Sequence, residues 1–202
     1  MASSSPHDSL AAVWTYPDET YAAKVARARA DLGVRDPVAA ARLDALVEVA
    51  ESGPLSVVEE LFTRTFDINP VCSLECGWHL YGEDYGRGEF LVGMRRTMRA
   101  LGVEETTELP DHLTHVLPVL QRLPEEEARR FAATSVVPAL RKMLEGFRDA
   151  DNPYREALEG VLAFVCAVHD VPEEEKDLGA PRGDVSACGG HPPAAPVSSG
   201  LE

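Results

Sequence analysis

The sequence predicts an all-α fold, a compact globular helical bundle without a sheet. Three observations carry this. Apolar residues recur at three- and four-residue steps along most of the chain. Helix start and stop signals bracket those stretches. Alternating polar and apolar runs bounded by turn dipeptides, the mark of strands, are absent.

The elements follow in order. Asp36-Pro37 is an N-cap followed by a first-position proline. It opens an Ala-rich helix carrying Val38, Leu43, Leu46, Val47 and Val49 that stops at Ser52-Gly53. Pro54 starts a second helix with Leu55, Val58, Leu61, Phe62 and Phe66 at helical spacing, ended by Asn69-Pro70. A helix is expected between Pro70 and Tyr81. Another runs from Tyr85 to Leu101, with Phe90, Leu91, Met94, Met98 and Leu101 opposite Arg95, Arg96 and Arg99, and Gly102 as its stop.

In the second half, Leu109, Leu113, Val116, Leu117, Leu120 and Leu123 form one apolar face, bent at Pro118. Pro124 and the acids Glu125, Glu126 and Glu127 suit the positive end of a helix macrodipole. Thr134 or Ser135 is expected to cap the next helix, whose stripe is Val137, Leu140, Leu144 and Phe147. Asn152-Pro153 opens a last helix with Leu158, Val161, Leu162, Val165 and Cys166 inward. Residues 1–170 read as a single all-helical domain. Residues 171–202, rich in Pro, Gly and Ala, hold too little apolar surface to offset their ordering entropy and read as a flexible tail.

Charge narrows the functions. The chain has 202 residues, with 34 acids against 19 bases and a net charge of −15. A nucleic-acid binder needs a basic stripe to displace phosphate counterions, and there is none. An acidic surface attracts basic partners instead. The N-terminus has neither the basic start nor the apolar run of a secretory signal, no apolar stretch is long enough to cross a bilayer, and Cys72, Cys76, Cys166 and Cys188 form no disulfide framework. These point to the reducing cytoplasm.

Two groups of residues invite a chemical reading. Cys72, Cys76 and His79 would share one face of a helix between Pro70 and Tyr81, where neighbours can chelate a soft metal or simply pack as small hydrophobes. No nucleophile elbow or phosphate loop is present, so neither a catalytic residue nor a metal site nor a bound cofactor is assigned. In Glu108-Leu109-Pro110-Asp111-His112-Leu113, Pro110 sets the start of a helix and Asp111 falls in its first turn, where its charge suits the dipole. Spacing alone favours a plain helix N-terminus over a binding element, because first-turn preferences already account for Pro110 and Asp111.

The same segment is similar to the Glu-Leu-Pro-Asp-His-Leu signature of NarJ-type nitrate reductase assembly chaperones, within the wider TorD/DmsD class. Leu61-Phe62-Thr63-Arg64-Thr65-Phe66-Asp67 resembles the NarJ stretch ending in Thr-Phe-Asp. Leu80-Tyr81-Gly82-Glu83-Asp84-Tyr85-Gly86-Arg87-Gly88 looks like its following loop, and Tyr16-Pro17-Asp18-Glu19 like its opening. The matches keep the family's order over about residues 14–165. The Cys-rich stretch from Cys72 to Trp78 and the tail depart from it.

The resemblance implies a TorD-like helical chaperone rather than an enzyme. Its partner would be the catalytic subunit of a molybdenum-dependent oxidoreductase, nitrate reductase or a relative, bound through its N-terminal, twin-arginine-like peptide and held while molybdenum cofactor is inserted. It would meet a membrane only through that client. The client-binding residues it suggests are Phe62, Phe66, Asp67, Trp78, Tyr81, Glu108, Asp111 and His112, with the aromatics lining a groove and Asp111→Ala keeping a near-normal melting temperature. Two other readings remain beside it: a thiol- or metal-dependent enzyme built on Cys72, Cys76, His79 and His112, and a generic helical regulatory module.

Overall fold

The computed structural model describes residues 5–68, 72–149 and 151–172. Ser5 opens α1 (Pro6–Val13), its hydroxyl accepting the His7 N–H at 3.3 Å with Pro6 in the first helical position. In α2 (Tyr21–Gly33) the residues Tyr21, Val25, Ala28 and Leu32 line one buried face. The sequence reading places no helix before Asp36, so both elements are additions to it.

The single helix expected from Pro37 to Ser52 is two, α3 (Pro37–Ala41) and α4 (Asp44–Ser52), joined by a turn at Arg42-Leu43. The last helix among the described residues packs onto this turn. A Cβ at Gly160 would stand 2.8 Å from the Ala39 carbonyl oxygen and 2.9 Å from Arg42 Cβ, so only glycine permits the approach. Next, α5 (Leu55–Phe62) continues into a π-helical turn at Thr63–Asp67.

A second correction concerns the Cys-rich stretch. Helix α6 (Cys76–Tyr81) begins only at Cys76, so Cys72 precedes it and Cys72, Cys76 and His79 do not share one helix face. The backbone before Cys76 has other partners. Cys76 N–H donates to the Asp111 carbonyl at 2.9 Å and Leu113 N–H to the Leu74 carbonyl at 3.0 Å, with Glu75 extended between them. The resulting Glu75–His112 contact is an isolated antiparallel bridge, the only extended pairing among the described residues. The fold is all-α, as predicted.

Helix α7 (Tyr85–Leu101) has the predicted bounds: Asp84 accepts the Gly86 N–H at 2.8 Å, and Gly102 ends the helix in the left-handed region at φ 66°. Helix α8 (Leu113–Arg122) runs through Pro118. The expected cap at Thr134 or Ser135 is not there. Helix α9 (Glu125–Phe131), a π-helical turn (Ala132–Val136) and α10 (Val137–Glu145) form one continuous run, and Val136 keeps helical φ and ψ of −72° and −49°. Thr134 bonds back to the Arg130 carbonyl instead. Asn152 caps α11 (Pro153–Val168), as the sequence indicates.

Helices α8 and α11 carry the core, with Leu113, Val116, Leu117, Val119 and Leu120 of one and Leu158, Val161, Phe164 and Val165 of the other all buried. Helix α1 lies against α2 and α8, and α11 against α3, α4 and α10, while α7 touches both α6 and α8. The last two contacts place the segment before α8 beside the N-terminus of α6. The tail expected beyond residue 170 lies outside the described residues from 173 onward.

Candidate functional site

The segment 108–113 closes the gap between α6 and α8. Its two central residues serve different helices. His112, not Asp111, is the N-cap of α8. Its Nδ1 accepts the Thr114 N–H at 3.3 Å and lies 2.8 Å from the Thr114 hydroxyl. An Nδ1 that accepts from a backbone N–H is unprotonated, so the neutral ring carries its proton on Nε2. Burial, aided by the neighbouring His115, lowers the His112 pKa to about 4 and keeps the ring neutral at physiological pH.

Asp111 faces the other way. Its side chain is fully buried, and Oδ2 accepts the Gly77 N–H at 2.9 Å in the first turn of α6. Glu75, the residue preceding α6, makes no side-chain cap of its own. Asp111 therefore caps α6 from 34 residues away, with its carbonyl on the Cys76 N–H and its carboxylate on the Gly77 N–H. The charge does suit a helix N-terminus, but of α6 rather than α8. A Cβ at Gly77 would come within 2.6 Å of Oδ2, so the contact needs glycine there.

Arg87, in the first turn of α7, completes the cluster. Its Nε stands 4.0 Å from Asp111 Oδ2, and its Cζ lies 5.3 Å from the centroid of the Trp78 ring. Burial pushes the Asp111 carboxyl above its usual range, against the Arg87 charge, which pulls it down; nearby Glu75 pushes it up further. Tyr81 packs on Phe90 at 5.6 Å between ring centroids, and both Tyr81 and Trp78 remain partly exposed. Glu108 is exposed, and beside it Leu109 is 42% exposed. Trp78 and Asp111 thus meet through Arg87, with Tyr81 on the same helix as Trp78, and Glu108 and His112 on the same segment as Asp111.

Phe62 and Phe66 lie elsewhere. They are buried in an aromatic cluster with Trp14 and Tyr154, at centroid distances of 5.0 to 6.1 Å. Neither shows a ring contact to Trp78 or Tyr81 among the described residues. Asp67 is exposed at the end of the π-helical turn. Arg87 is the member that sequence reasoning missed. It stood in the matched loop, but only the fold brings α7 to Asp111.

Cys72, Cys76 and Cys166 are buried and in no disulfide among the described residues, and burial pushes the Cys72 and Cys76 thiols up, away from the reactive thiolate. His79 spends its Nε2 on the Ser73 carbonyl at 2.7 Å. Cys188 lies outside the described residues. No helix among the described residues is long and apolar enough to cross a membrane.

Comparison with known proteins adds one finding. A family model described as nitrate reductase delta subunit matches residues 34–159, more than half of the chain and all of the neighbourhood described above. No curated protein matches the chain.

Proposed function

Because the chain belongs to the nitrate reductase delta subunit family, we propose that this assembly chaperone binds the N-terminal, twin-arginine-like segment of a molybdoenzyme catalytic subunit, with nitrate reductase as the client. It holds that segment in the cytoplasm while molybdenum cofactor is inserted, and catalyses no reaction itself. The observation that carries the reading is the pairing of Asp111 and His112 on one clasp between α6 and α8. The buried Asp111 carboxylate faces Arg87, which lies over the partly exposed Trp78, and the neutral His112 ring keeps an Nε2–H donor on the same segment. Carboxylate and aromatic faces are what an arginine recognises, by charge-assisted hydrogen bonds and by stacking. The net charge of −15 supports it by drawing a basic peptide in.

The binding surface proposed is Trp78, Tyr81, Glu108, Asp111 and His112. Phe62 and Phe66 belong to the core with Trp14 and Tyr154 and are left out of it. The test is calorimetry with the client's N-terminal peptide on His112→Asn and Glu108→Gln. Asparagine retains an N-cap acceptor for α8 while removing the Nε2–H, so fold and binding are separated. Each variant should keep its melting temperature while affinity falls roughly fivefold to tenfold, about 1–1.4 kcal/mol. Unchanged affinity in both folded variants removes this segment from the site.

A further inference from the structure

Arg87 and Asp111 form an incomplete ion pair. At 4.0 Å the Nε–Oδ2 separation is too long for a hydrogen bond, and charge-assisted pairs close to about 2.7–2.9 Å when they are dedicated to one another. Both sides are left unsatisfied: Asp111 Oδ1 and Arg87 Nε are buried atoms without a hydrogen-bond partner. Such buried polar atoms are rare and costly in a site that has no further use for them. The Arg87 side chain is 24% exposed and the Asp111 side chain 0% exposed, so the arginine spans the distance between solvent and the buried carboxylate. Its outer part lies over Trp78, at 5.3 Å.

We propose that Arg87 is a placeholder: its guanidinium occupies, between the Asp111 carboxylate and the Trp78 ring, the slot that takes an arginine of the client segment, and it swings out when that arginine enters. This rests on the function proposed above and adds its regulation and its selectivity. Arg87 sits in the first turn of α7 with its side chain 24% exposed, so the guanidinium can turn outward into solvent without disturbing the helix. Withdrawing it leaves a buried carboxylate uncompensated, a state that is strongly disfavoured. Exchange proceeds only when a second cation replaces the first. A planar guanidinium can both bond the free Oδ1 and stack on the indole, whereas an ammonium cannot do both. The free chaperone thus keeps its site closed to peptides that lack arginine.

The experiment compares the intact protein with Arg87→Ala and Arg87→Lys. Calorimetry uses the client's N-terminal peptide in its natural form and with its paired arginines replaced by lysines. Removing the competitor should raise affinity for the arginine peptide about tenfold in Arg87→Ala. Arg87→Lys, which preserves the charge should alanine fail to fold, should show a smaller gain. The lysine peptide should gain little. Independently of any client, ethylguanidinium should restore the melting temperature lost in Arg87→Ala, and ethylammonium should not. Weaker or equal binding of the arginine peptide by both Arg87 variants, while His112→Asn still weakens binding, overturns the placeholder and leaves the binding site standing. If His112→Asn and Glu108→Gln also change nothing, the site and the placeholder fall together.

Discussion

Gly77→Ala tests the long-range cap directly. The new Cβ would meet Asp111 Oδ2 at 2.6 Å and Phe90 Cδ1 at 3.0 Å. The carboxylate cannot easily retreat, because the backbone on either side of it is bonded: the Asp111 carbonyl to Cys76, and the Leu113 N–H to Leu74. The methyl group therefore either breaks the Gly77–Asp111 hydrogen bond or forces α6 away from α7. Losing a hydrogen bond to a charged group costs about 1.5–3 kcal/mol, and overpacking about 1–3 kcal/mol. Alanine returns about 1 kcal/mol through its better helix propensity, which leaves a net loss of roughly 0.5–2 kcal/mol when the hydrogen bond breaks and up to about 2 kcal/mol when α6 moves. The assay is urea unfolding followed by circular dichroism, comparing midpoints at constant slope. Gly88→Ala is the control. Its Cβ would touch nothing, so it should be neutral or more stable by up to about 1 kcal/mol. A Gly77→Ala midpoint equal to or above that of the parent would refute the idea that Asp111 caps α6.

Three further outcomes follow from the same geometry. Asp111→Ala should lower stability, as a helix cap would and contrary to the near-normal melting temperature that goes with the binding reading of the sequence, because it removes the partner of Gly77 and leaves Arg87 without a counter-charge; a thermal melt within a degree of the parent would contradict this. Asn152 accepts the Tyr154 N–H and donates Nδ2 to the Thr65 hydroxyl at 2.9 Å, itself bonded to the Leu61 carbonyl. Asn152→Asp keeps the cap but loses the donor, so urea unfolding should show both it and Asn152→Ala destabilised, the alanine by about 1–3 kcal/mol. Acid should weaken the fold. His7 and His112 are lowered from 6.5 to about 4, chiefly by burial, so the unfolded chain takes up protons first as pH falls. The stability they contribute is complete above pH 6.5 and lost between there and about 4, at most about 3 kcal/mol each. His79 and His169 shift the same way, and the raised Asp111 carboxyl opposes them by gaining stability on protonation. Urea midpoints that are flat between pH 7 and 4.5 would overturn this.

What the sequence made legible depended on how far apart the interacting residues lie. The bounds of α7 are readable because Asp84 and Gly102 act on their own neighbours, and Asn152-Pro153 announces α11 for the same reason. The Ser5-Pro6 start of α1 and the Tyr21, Val25, Ala28, Leu32 stripe of α2 are equally local, and were there to be read. Thr134 and Ser135 mislead because a capping residue caps only where the backbone leaves helical geometry. Here a π-helical turn carries the chain through. Phe62 and Phe66 could line a groove on spacing alone, and it is Trp14 and Tyr154, far away in sequence, that enclose them.

Asp111 is the sharpest case. Local rules assign an acid just ahead of α8 to the dipole of α8, and the residue type is right for a helix N-terminus. The helix it serves is α6, reached because the 74–76 backbone pairs with 111–113. A surface cap could be lost with little effect on the rest of the molecule. A cap that joins two distant segments and also faces Arg87 and Trp78 cannot, since the same carboxylate sets the packing of α6, the position of α7 and the charge of the slot between them. If the proposed site is right, a cation entering that slot would act on the contacts between three helices, and binding of a short basic peptide would be felt well beyond the segment it touches.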